Sequence, residues 1–187
     1  MSDHEAKRRK VSAWTDDGNF TAHTFGNVFE HDQSGESARI ILGLDSGWVD
    51  FMLDAVRQRT KVMMLFNQVL PRDPGRAGKY TSDLSTKAEA TEVLERFRDL
   101  IERDARHEFW LSWPDEGDQA VLDNHNRLFL YGRQDVWRHQ CEQFRVVEGP
   151  VILADPHAHF YHAEYDEDVA ELLERYAWTF YPALDDD

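Results

Sequence analysis

The chain predicts an α+β fold: a mostly antiparallel sheet with three to four helices packed mainly on one face. Three observations predict it. Short β-rich runs alternate with tight-turn residues, which suits hairpins more than crossovers. Regular strand–helix alternation and a glycine-rich phosphate loop, which a doubly wound parallel sheet would need, are both missing. The 187 residues are 41% hydrophobic and include six Trp and eleven Phe, enough large apolar area for one core.

The elements follow in order. Residues 1–12 carry no apolar periodicity and contain Lys7-Arg8-Arg9-Lys10, so they are expected to form a disordered N-terminal tail ahead of a single domain over 13–187. Asn19 to Glu30 reads as a strand and Ala38 to Leu44 as its hairpin partner, across the polar stretch His31 to Ser37. Asp45 and Ser46 are placed to cap a helix whose apolar stripe is Trp48, Phe51, Met52, Ala55 and Val56. Lys61 to Leu70 fits either a continuation of that helix or a buried strand, and Pro71 ends it in both cases. Arg72 to Asp83, with Pro74, Gly75 and Gly78, reads as an exposed loop.

A helix then begins at a capping box of Thr86 and Glu89, with Val93, Leu94, Phe97, Leu100 and Ile101 on one stripe, ending near Arg106. Phe109 to Trp113 is a strand stopped by Pro114. Ala120–Leu122 and Arg127–Tyr131 form a hairpin across Asp123-Asn124-His125-Asn126, residue types that tolerate left-handed backbone. A short helix after Gly132 places Val136, Trp137, Gln140 and Cys141 on one side. Phe144 to Val147 and Val151 to Ala154 read as strands. The last helix opens near Asp166 and is expected to bury Val169, Leu172, Leu173, Tyr176 and Phe180; Asp185 to Asp187 is a solvated end.

Charge narrows the function classes. The net is −15, from 36 acidic against 21 basic residues. Such a surface repels phosphate backbones, so no nucleic-acid partner is expected; it steers basic partners instead. No apolar run approaches the ~20 residues that span a bilayer, so no membrane partner is expected. A polar N-terminus without a hydrophobic leader and a single cysteine, Cys141, point to a cytoplasmic protein. Cys141 shares the apolar stripe of Trp137 and reads as buried and inert, since His139 at i−2 faces elsewhere on a helix. Exposed strand edges leave the chain a monomer or a homodimer.

Chemically capable side chains crowd together in Asp155-Pro156-His157-Ala158-His159-Phe160-Tyr161-His162-Ala163-Glu164. On a strand His157 and His159 project from one face and can grip one metal ion, with Glu164 as a third ligand. His162 falls on the opposite face. The spacing His157-x-His159-x4-Glu164 resembles the first motif of the cupin barrels, where that resemblance implies iron, manganese or zinc. Cupins continue with further barrel strands and another histidine; here an amphipathic helix follows. Asp155-x-His157-x-His159 similarly resembles the opening motif of amidohydrolase barrels, which need a far longer barrel after it. The competing reading makes His157 and His159 ordinary edge-strand residues and the acids from Glu164 onward a favourable helix start. His107, His125 and His139 read as isolated surface residues.

Two functions are compatible with these patterns. The first is a non-enzymatic acidic interaction module, an inhibitor or immunity-type protein that docks a basic protein partner by electrostatic steering and needs no cofactor. The alternative is a small metal-binding protein or metal-dependent enzyme holding one divalent ion, such as zinc, iron or manganese, at His157, His159 and Glu164.

Overall fold

A computed structural model describes residues 9–33, 37–72 and 77–183. Strands β1 (Val11–Trp14), β2 (Phe20–Ala22), β3 (Val28–Asp32) and β4 (Arg39–Gly43) lead into helix α1 (Trp48–Arg57). Strands β5 (Lys61–Gln68) and β6 (Gly78–Thr86) precede helices α2 (Lys87–Arg96) and α3 (Arg98–Arg103). Next come β7 (His107–Trp113), β8 (Asp118–Leu122), β9 (Arg127–Tyr131) and helix α4 (Gln134–Gln143). The chain closes with β10 (Val147–Glu148), β11 (His157–His159), a 3-10 turn (Ala163–Tyr165), helix α5 (Asp166–Arg175) and β12 (Trp178–Pro182).

The strands form a nine-stranded sheet, β10-β3-β4-β9-β8-β7-β5-β6-β12, and a three-stranded sheet, β11-β1-β2. The large sheet is mixed: β10 pairs parallel to β3 and its other pairs are antiparallel. Alternation along β5 buries Val62, Met64 and Phe66, and along β7 buries Phe109, Leu111 and Trp113. Register sets Met64 opposite Leu111 and Phe66 opposite Phe109, so both strands give their apolar side chains to the same face. Buried residues from all five helices join these in one core. The helices α1, α2, α4 and α5 are only ten residues each. Helices shorter than ~12–15 residues are marginal alone, so this packing is what holds them. At one edge of the core the Arg59 guanidinium lies between the Trp113 and Trp137 rings, 4.4 and 4.3 Å from their centroids, and pairs with the buried carboxylate of Asp118 at 2.8 Å.

The α+β class holds, but several expectations are corrected. Five helices are described instead of three to four, because Phe97 leaves helical backbone (φ −103°, ψ 23°) and divides the expected 86–106 helix into α2 and α3. The capping box is present: Glu89 N–H donates to Thr86 Oγ1 and Thr86 N–H to Glu89 Oε2. Gly47, at φ 79°, starts α1 without a side-chain cap; the Asp45 carboxylate instead accepts from Gly26 N–H. The expected strand 19–30 is broken by left-handed backbone at Gly26 and Asn27, which sends β2 and β3 to different sheets. Lys61 to Gln68 is a strand. Gly78 to Thr86 is also a strand and not a loop, held between β5 and β12. Positive φ at Arg145 ends the expected 144–147 strand, leaving two residues in β10, and Val151 to Ala154 pairs with no strand. Phe180 lies in β12, beyond the end of α5. At the N-terminus, Lys10 and Ser12 are fully buried and Val11 begins β1, so Arg9 to Ser12 enter the fold. Lys7, Arg8 and Asp185 to Asp187 lie outside the described residues. Among the described residues no helix is long and apolar enough to cross a membrane.

Candidate metal centre

The small sheet places two of the histidines. Val11 pairs with His159 and Ala13 with His157, so both imidazoles share one face of β11. The β8–β9 hairpin turn supplies a third, His125. Ring centroids of His125 lie 5.2 Å from His157 and 4.5 Å from His159, and the pair itself is 5.4 Å apart. One ligand nitrogen from each ring lies within 4.8 Å of the other two, and all three residues are half-buried. Imidazoles bound at ~2.0–2.1 Å to a tetrahedral zinc hold their nitrogens roughly 3.3 Å apart, so these rings would have to draw closer to hold one.

Surrounding groups orient the rings. A carbonyl can only accept, so the 2.8 Å contact between His157 Nδ1 and Ala154 O puts a proton on Nδ1 and directs Nε2 to serve as the ligand atom. His125 Nδ1 lies 3.4 Å from Asp123 Oδ2, close to the carboxylate but without hydrogen-bond geometry. His159 Nε2 is buried with no hydrogen-bond partner among the described residues. Burial, reinforced by the neighbouring His125 and His157, pushes His159 down to about 4 and keeps it neutral near pH 7, the form that ligates metal.

Asp123 builds the turn that carries His125. Its Oδ1 accepts from the backbone N–H of His125 at 2.9 Å and of Arg127 at 2.8 Å; its Oδ2 accepts from Arg127 Nε at 3.0 Å and Nη2 at 2.8 Å. Burial would raise this carboxyl, but hydrogen bonding from His125 and the Arg127 charge outweigh it and hold it below its ordinary value. The Asp123 carbonyl accepts from Lys10 Nζ at 3.0 Å, and the His107 carbonyl accepts from the same ammonium at 3.0 Å. Burial lowers Lys10 to about 8, against the opposing pull of Asp123, Glu108, Asp104 and Glu102.

Sequence reading named His157, His159 and Glu164 as ligands. The structure brings the first two together. Glu164 is exposed in the 3-10 turn and stands outside the imidazole group. His125, read from the sequence as a surface residue, is the third member; a hairpin elsewhere in the chain carries it, and no local spacing announces it. His107 is also not on the surface: it is buried against Phe66. Cys141 is buried as expected, and that burial pushes its thiol up to about 12, which leaves it unreactive. Comparison with protein-family models, with curated proteins and with solved structures gives no match. Fold and site together define an α+β protein with three neutral-capable imidazoles converging where two sheets meet.

Proposed function

We propose that this protein binds one divalent transition-metal ion, zinc foremost, through His125, His157 and His159. The observation that carries the reading is the convergence of three imidazole nitrogens within 4.8 Å, with the His157 ring held by the Ala154 carbonyl and the Asp123 carboxylate 3.4 Å from His125. Borderline-soft nitrogen donors suit zinc, and also iron or nickel, better than magnesium or calcium, which take oxygen. Three protein donors leave a fourth position for water or an incoming ligand, the arrangement of catalytic more than of closed structural zinc sites. An ion there would lower the pKa of its water and polarise an oxygen-bearing ligand. Protein purified without an affinity tag and dialysed against zinc should retain about one ion per chain by elemental analysis, and the double variant His157→Ala/His159→Ala should retain none. Equal retention by both would show that the ion sits elsewhere; no retention by either would remove the reading altogether.

A second reading rests on charge. The net of −15 supports an acidic module that docks a basic protein, and the two readings are compatible because the imidazoles occupy one small part of the surface.

A further inference from the structure

The three imidazoles do not belong to one sheet. His157 and His159 sit on β11 of the small sheet, while His125 sits in a hairpin turn of the large one. Building on the metal reading above, we infer that the ion staples the small sheet to the large one, so that metal loading governs how firmly β1, β2 and β11 are docked.

Among the described residues several polar ties also cross this seam. Lys10, just ahead of β1, donates to the Asp123 carbonyl in the His125 turn and to the His107 carbonyl at the start of β7. Arg9 donates to the carbonyl of Asp45, just past β4, at 3.1 Å. Just past β11, the Phe160 carbonyl accepts from Ala105 N–H, beyond α3. Three strands of three to four residues are too short to be stable by pairing alone. The seam also contains polar atoms that make no pairing contribution: His23 Nε2, Asn126 Oδ1 and Trp48 Nε1 are buried without hydrogen-bond partners and line one cavity of about 10 Å³ with Val11 and Arg9. Apolar contact at the seam comes from Val11, Phe25 and Trp48, which line the same cavity. The His159 Nε2 beside it is likewise buried and unpaired, and an ion is a partner that would satisfy it while reaching across to His125. The His125 bond then ties the large sheet to the centre while the His157 and His159 bonds tie β11 to it, and opening the seam requires losing ligands.

Linkage gives the size of the effect. An opening that expels the ion becomes about 100-fold rarer when free zinc is 100 times its Kd. The test is hydrogen exchange on the full chain, metal-free and with zinc, alongside calorimetric titration of zinc. In metal-free protein the amides of β1 and β11 should exchange faster than those of β5 in the core, and zinc should slow them by up to about that factor. The variant His125→Ala should lose the slowing, since zinc on the remaining pair no longer bridges the sheets. No zinc binding in the titration would overturn the metal reading itself. Zinc binding with unchanged exchange in β1 and β11 would overturn the staple alone. So would exchange of these strands at the core rate before zinc is added, or slowing that persists in His125→Ala.

Discussion

His107 shows how far a single residue's environment decides its chemistry. Its ring is buried, stacks 4.7 Å from the Phe66 ring centroid, and has neither nitrogen paired. Burial drives it down to about 3, against the pull of Asp104. The sign of the consequence is fixed. Below the ordinary histidine value of 6.5 the unfolded chain takes up a proton that the folded chain refuses, so stability falls as pH drops from 6.5 toward 3. His107→Phe keeps the ring packing and removes the proton. Urea midpoints of wild type and variant should therefore converge near pH 7 or favour the variant slightly, and separate in the variant's favour toward pH 4. Parallel pH profiles would mean that His107 is solvated enough to titrate normally. His159, lowered to about 4, adds to the same trend in metal-free protein. The burial of His107 was not legible in the sequence: an isolated histidine in a strand carries no mark of it.

Among the elements, the closing pair β6–β12 depends on one backbone position. Gly78 adopts φ 145°, and a Cβ there would lie 2.3 Å from the Tyr181 carbonyl oxygen. It pairs with Gln68 on one side and Pro182 on the other. Gly78→Ala is expected to cost at least about 2 kcal/mol, from left-handed strain and the contact with backbone together, and to loosen β12. Urea denaturation measures the first, and faster amide exchange in residues 178–182 the second; a variant with the wild-type midpoint and exchange pattern would contradict the close approach. This strand was misread as a loop because Pro74, Gly75 and Gly78 are turn-forming residues and its alternation is weak. What makes it a strand is pairing on both edges, which lies in other parts of the chain. The opposite holds for α2: Thr86 and Glu89 mark its start in the sequence and form that cap in the fold, because capping depends on residues three apart. The break at Phe97 has no such local signature. Phe97 is buried and its backbone follows the core it packs into.

For the whole molecule, charge and topology act separately. Docking of a basic protein, as proposed from the net charge of −15, would be a long-range effect that ionic strength screens. Capture of a basic partner should weaken steeply between ~0.05 and ~0.5 M salt, since the Debye length falls below ~5 Å over that range. Salt-independent capture, or retention of no basic partner at low salt, would count against the docking reading. The metal reading makes no such demand, since an imidazole that ligates a metal ion does so in its uncharged form.

By itself the sequence determined what depends on near neighbours: the α+β class, the β8–β9 hairpin, the Thr86 cap, the burial of Cys141, and the placing of His157 and His159 on one strand face, together with the net charge of −15. These follow from period-two and period-3.6 patterns and from side chains a few residues apart. Tertiary structure decided which strands share a sheet, that Lys10 is drawn into the interior, and that His125 replaces Glu164 beside the pair. The reason is physical. Strand pairing joins segments regardless of their separation along the chain, and the place where an imidazole meets two others is set by the docking of one sheet on another, to which no local spacing corresponds.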